Sequence, residues 1–180
     1  MIQIMCPCGK RISQNYYNRI ISSISLNQLQ CPCCKHKGCF IWYGTYNRSV
    51  KEGDAKEALT ISRILCKECS GCGHSHTHAL LLVSIVPYCQ VPLHLQANVI
   101  SACEACDGSI SEILINNPSI DMNYVYRLCA AYRSYWLERL RCEGIPLYPL
   151  DDLPAGCFRH YNRQFMQIKN TPNILFLPPT

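Results

Sequence analysis

Cys31-Pro32-Cys33-Cys34 and, about thirty residues later, Cys66-Lys67-Glu68-Cys69-Ser70-Gly71-Cys72-Gly73-His74-Ser75-His76-Thr77-His78 decide how this chain folds. Each contains a Cys-x2-Cys pair, Cys31/Cys34 and Cys66/Cys69. Such a turn presents two thiolates on one side of a tight knuckle, and a tetrahedral metal takes two knuckles face to face. Between them the residues predict a β-hairpin. Phe40 to Tyr46 is aromatic and β-branched, Asn47 to Glu57 is polar with a glycine, and Ala58 to Leu65 alternates. Knuckle, strand, turn, strand, knuckle is the pattern of a zinc ribbon.

The primary ligand set read from this spacing is Cys31, Cys34, Cys66 and Cys69. Cys69 and Cys72 form an overlapping pair, so the second knuckle has two readings. Cys33, His36 and Cys39 are further donors beside the first knuckle. Cys39, at the start of a strand, reads as a small buried hydrophobe. Upstream, Cys6-Pro7-Cys8-Gly9 is another knuckle-like turn with a one-residue spacer. It allows a second zinc held by Cys6, Cys8, Cys72 and one of His74, His76 or His78. The spacing leaves one and two zinc ions open.

Fifteen cysteines, without the basic start and long apolar run of a secretory signal, point to reduced thiols and metal, hence a cytoplasmic protein. No run approaches 18 uninterrupted apolar residues, so no membrane partner is expected. The formal net charge of +5 is unevenly spread. Residues 1–78 carry ten Lys/Arg against four Asp/Glu, whereas residues 79–180 carry seven against eight. A basic patch on a metal-stiffened hairpin suits a polyanion, because each phosphate contact releases counterions. Lys35, Lys37, Arg48 and Arg63 are the cations expected to make such contacts.

The 180 residues suit one ordinary domain or two small ones. The reading here is α+β, with a zinc-ribbon domain and its N-terminal helix over 1–90 and a helical domain with an extended tail over 91–180. Tyr16, Tyr17, Ile20, Ile21 and Ile24 follow helical spacing and predict a helix packed on the ribbon. Ala79 to Val86 predicts a buried strand ended by Pro87. Leu95, Val99, Ile100 and Cys103 predict a first helix in the second half. Ile110 to Asn116 predicts a second, with Ser109 as N-cap and Glu112 completing a capping box. Asp121 caps a third, which runs to Gly144 and Pro146. Residues 145–156 read as a loop, followed by helical spacing through Phe158, Tyr161, Phe165 and Ile168. Cys103 and Cys106, though metal-like in spacing, read as buried free thiols.

Helix, short helix, turn and long helix is the outline of a helix-turn-helix. In that geometry the start of the third helix enters the major groove and presents Asn123, Tyr126 and Arg127, with Arg133 nearer the backbone. Asn pairs with adenine and Arg with guanine, each worth roughly 1–3 kcal/mol of discrimination.

This order of features resembles the N-terminal zinc-ribbon and helix-turn-helix region of bacterial insertion-sequence transposases. Cys69-Ser70-Gly71-Cys72 running into Thr77-His78-Ala79-Leu80-Leu81, then Pro87-Tyr88, is similar to an uncharacterised bacterial zinc-ribbon family. The resemblance spans most of residues 31–143 and implies binding to terminal-repeat or operator DNA. The twelve acids offer no Asp/Asp/Glu framework of a transposase catalytic domain, so a non-enzymatic protein is expected. The alternative is a zinc-dependent interaction module acting on a transposase, nuclease or other protein, or on a second copy of itself. A hydrolase using His74, His76 and His78 is a third reading, lacking a partner acid at recognisable spacing.

Overall fold

The computed structural model describes residues 1–70, 76–106, 108–167 and 175–177. The chain is mixed α+β, and the β-hairpin predicted between the cysteine pairs is its longest feature. Strands β2 (Phe40–Glu52) and β3 (Ala55–Cys66) pair antiparallel from Phe40↔Cys66 to Glu52↔Ala55. The polar segment 47–57, expected as a turn, lies mostly within the ladder. Its polar side chains pair across the strands, and only Gly53 and Asp54 remain for the reversal. Gly53 takes φ +65°, the left-handed conformation that the first central residue of such a two-residue turn needs. A bulge at Tyr43 shifts the register between Trp42 and Gly44.

The hairpin is part of a five-stranded sheet of order β2-β3-β4-β1-β5. Strand β4 (Thr77–Leu82) is antiparallel to β3, in register Ile64↔His78. Strands β1 (Ile2–Ile4) and β5 (Leu175–Leu177) are parallel to one another, and β1 is parallel to β4, with Ile2 opposite Leu80 and Leu175. The extended C-terminal tail is thus, at 175–177, a strand of the chain's own sheet. The second half of the chain is consequently not all helical.

Helix α1 (Gln14–Ser22) starts at Ser13, whose hydroxyl accepts from Tyr16 N, and buries Tyr17 and Ile21. Tyr17 has a second task. The β3–β4 ladder stops at Arg63↔Ala79, and beyond it the Tyr17 hydroxyl donates to Leu80 O (2.9 Å) and accepts from Ser62 N (2.8 Å). One side chain bridges two strands where their own pairing ends.

After a single turn, α2 (Lys67–Ser70), the helical part comprises α3 (Leu93–Ala105), α4 (Ser109–Asn116), α5 (Met122–Ala131), α6 (Leu137–Cys142) and α7 (Asp152–Tyr161). The predicted third helix is α5 and α6 joined through a π-helical turn at Tyr132–Trp136. Asp121 caps it by accepting from Tyr124 N at 2.7 Å. At the other end, Gly144 (φ +62°) and the Ile145 N to Leu140 O bond close the helix. The cap of α4 is Gly108, one residue before the expected Ser109. Helix α7 begins inside the segment 145–156 expected to be a loop. Asp151 and Asp152 sit at its positive end and Pro154 in its first turn, where a missing N–H costs nothing. It ends at Tyr161, so the helical spacing drawn on to Phe165 does not continue as helix; Ile168 lies outside the described residues.

Two apolar clusters fill the molecule, one built on the sheet from Ile2 to Ile85 with Phe158, the other from Val86 to Met166. The hairpin links them. Arg48 donates from Nη2 to Val86 O (2.6 Å) and Cys89 O (2.8 Å), Lys51 N donates to Gln90 O (2.8 Å), and Gly53 N donates to Asn117 Oδ1 (2.9 Å). Glu52 pairs with His94 of α3 at 3.1 Å.

Candidate metal centre and basic surface

The first knuckle is shaped by its backbone. Lys35 N donates to Cys31 O and Cys31 N to His36 O, both at 2.9 Å, and Gln30 pairs with Lys37 as an isolated bridge. Lys35 and Gly38 adopt positive φ to make the turn. The second knuckle is the exit of β3 into α2, with Cys66 on the last strand residue and Cys69 in the helical turn. Lys67 N donates to Cys39 O (2.9 Å), which holds the exit against the entry of β2.

These turns bring the sulfurs of Cys31, Cys34, Cys66 and Cys69 within 4.8 Å of one another. Cys31 and Cys69 are 3.7 Å apart, and Cys34 and Cys66 are 3.6 Å apart. Four sulfurs each about 2.3 Å from a tetrahedral ion stand roughly 3.8 Å apart, so the four cysteines fit a metal and are too far apart for disulfides. Burial pushes the Cys69 thiol up, and the neighbouring sulfurs add to it. A cation reverses that balance and lets the cluster ionise. Cys39 Sγ stands 3.4 Å from Cys66 Sγ. Burial and Cys66 raise its pKa to about 12, and its sulfur lies outside the four-sulfur group.

A second group shares one of these atoms. Cys31, Cys33 and His78 also have ligand atoms within 4.8 Å of one another, with Cys31 Sγ 3.9 Å from His78 Nε2. His78 is 3% exposed, its ring edge-on to Phe40 and its Nδ1 2.9 Å from the Met1 nitrogen. Burial, followed by the Met1 amine, depresses its pKa to about 4, so the imidazole is neutral at neutral pH.

The other donors anticipated for a second ion are placed differently. Cys6 is buried, 3.5 Å from Ser84 Oγ, and Cys8 N donates to Asp151. Burial raises Cys8 to about 12, and neither residue belongs to the sulfur clusters found among the described residues. Cys72 and His74 lie outside the described residues, and His76 is at the start of the approach to β4. Cys6 instead lines an apolar cleft of about 450 Å³ under α1, which contains none of the four clustered sulfurs.

The expected nucleic-acid contacts divide into three kinds. Asn123, Tyr126 and Arg127 are exposed on α5, Tyr126 by 66%. Lys37 is also exposed, while Lys35 Nζ donates to Pro32 O at 2.8 Å and braces the knuckle. Arg133 is paired with Glu104 at 3.0 Å, and Arg48 with the two carbonyls named above. Arg63 lies over the Tyr43 ring at 5.3 Å and donates to Thr77 Oγ1 at 2.6 Å.

Tyr88 was not singled out by the sequence as a contact residue, yet it lines both clefts that hold Arg48, Arg63 and Arg127. It is 65% exposed with φ +60°, a conformation costly for a bulky residue. With Pro87 it forms the wall between two clefts. One, of about 420 Å³, is lined by Tyr46, Arg48, Arg63 and Thr77, and the other, of about 400 Å³, by Gln96, Tyr124 and Arg127. Only the unusual backbone marks it, and single-sequence periodicity carries no sign of that.

Compared with protein-family models, curated proteins and solved structures, the chain has no match. No helix among the described residues is long and apolar enough to cross a membrane.

Proposed function

We propose that this chain is a zinc-stabilised, non-catalytic DNA-binding protein of regulatory or mobile-element type. The observation that carries the reading is the pair of clefts sharing Pro87 and Tyr88, one lined by Arg48 and Arg63 of the hairpin and the other by Arg127 of α5. In this reading the four-cysteine site is a zinc ribbon that stiffens the hairpin. Arg63, Lys35 and Lys37 supply phosphate contacts. The segment α3–α4–α5 acts as a helix-turn-helix, with Asn123, Tyr126 and Arg127 offered to base edges. Arg133, neutralised by Glu104, contributes to holding the π-helical turn on α3 instead of to phosphate. Zinc is the ion that suits four thiolates in a closed tetrahedron.

The test is retention of zinc-loaded protein on duplex DNA as salt is raised, followed by fluorescence anisotropy. Binding should weaken linearly in log–log form, and Arg63→Gln or Lys37→Gln should each lower the slope by about 1. Absence of binding at low salt, or a slope untouched by both variants, overturns the reading.

One observation favours the second reading, an interaction module. Strand β2 is an edge of the sheet, and it exposes Ile41, Trp42 (52%) and Tyr43 (54%). A partner strand could add there. Binding lost in Trp42→Ala and indifferent to salt would identify that mode.

A further inference from the structure

We propose that this protein holds a second metal ion, bound by Cys31, Cys33 and His78, with the Cys31 thiolate shared between it and the four-sulfur site. It rests on the four-sulfur reading, because Cys31 belongs to both groups.

The turn that makes the first knuckle supplies the geometry. In Cys31-Pro32-Cys33-Cys34 the outer cysteines converge with Cys66 and Cys69, and Cys33 falls outside that set. Its sulfur instead shares a 4.8 Å neighbourhood with Cys31 and His78. The histidine is delivered from another direction by the sheet. The Ile64↔His78 register fixes its position on β4, Phe40 packs edge-on against its ring, and the Met1 nitrogen occupies Nδ1. Nε2 is thereby the atom turned towards sulfur, 3.9 Å from Cys31 Sγ. For Nε2 to bind a metal the ring proton sits on Nδ1 and is donated to the Met1 nitrogen as an uncharged amine, which takes the place of the carboxylate or carbonyl acceptor usual for a metal-bound histidine.

The chemistry favours sharing. A thiolate has lone pairs enough for two ions, and four thiolates around one divalent ion, three of them buried, leave excess negative charge. A second divalent cation, taking one further thiolate and one neutral imidazole, reduces that excess. The two sites also differ in kind. The first is closed by four sulfurs, whereas the second has three protein donors and leaves a position for water. It meets solvent on the Cys33 side, since Cys33 is part-exposed whereas Cys31 and His78 are buried.

The experiment counts zinc per folded chain by native mass spectrometry and elemental analysis on protein expressed with added zinc. Wild type, Cys33→Ser, His78→Gln and Cys34→Ser are compared, with circular dichroism reporting the fold. Two zinc ions in wild type and one in both Cys33→Ser and His78→Gln are expected. One zinc in wild type, kept in His78→Gln and lost in Cys34→Ser, overturns the second site and leaves the first standing. No zinc in folded wild type overturns both. Cobalt titration of wild type provides a check independent of variant folding. The paramagnetic signal of the first equivalent should diminish as the second binds across the shared sulfur; two independent, additive signals overturn the shared ligand.

Discussion

Tyr17 shows how much a single side chain decides here. Its hydroxyl satisfies Leu80 O and Ser62 N at the point where β3 and β4 part, and the residue is 1% exposed. Tyr17→Phe keeps the ring and strands both backbone groups, so unfolding free energy should fall by about 1–3 kcal/mol in urea titration. A change below a few tenths of a kcal/mol would mean that the strands re-pair without it. The helical spacing of Tyr17 with Ile21 was legible in the sequence, as was the capping role of Asp121. The hydroxyl's partners were not, because a hydrogen bond between segments sixty residues apart leaves no local pattern. The arginines repeat the lesson. As letters Arg48, Arg63 and Arg133 are equivalent cations, but the fold gives one to backbone carbonyls, one to a tyrosine face and one to Glu104.

At the scale of elements, the cysteine pairs announced the hairpin because ligand spacing is a local signal, and the strands between them are rich in β-branched and aromatic residues. The three-residue strands β1 and β5 are too short to carry a period, and their pairing depends on partners far along the chain. Helix α7 was hidden because aspartates and proline, turn-formers in isolation, also suit a helix start. The hairpin tip gives the sharpest element-scale test. A Cβ on Gly53 would meet no atom within 4 Å, so any cost of Gly53→Ala comes from its φ of +65°. That substitution should destabilise by about 1 kcal/mol in thermal or urea unfolding. Neutrality would imply that the turn changes type without penalty.

For the whole molecule, the hairpin acts as a beam held at both ends, by the Lys67 N to Cys39 O bond at the base and by the helical part at the tip. Glu52 and His94 form one of the tip contacts. Burial alone would raise the Glu52 carboxyl, but the His94 bond and charge prevail and hold it below its ordinary value. The sign follows directly: the stabilisation is present above the ordinary value of 4.5 and is lost as pH falls through the depressed one. Wild type should therefore exceed Glu52→Gln in stability at pH 7, and the two denaturation midpoints should converge as pH drops below 4.5. A gap that persists unchanged in acid would assign the difference to packing.

The parallel pairing of β1 with β4 also bears on how quickly the native state is reached. Ile2 has to find Leu80 across nearly half the chain, and the entropy of closing so long a loop slows such searches. In the proposed metal-bound form, an ion that captures Cys31 and Cys69 early would fold about half of that interval onto itself before β1 arrives. A metal in the proposed four-cysteine site would act as a kinetic shortcut as well as a staple, and a chain starved of it during synthesis would linger with the β4 edge uncovered.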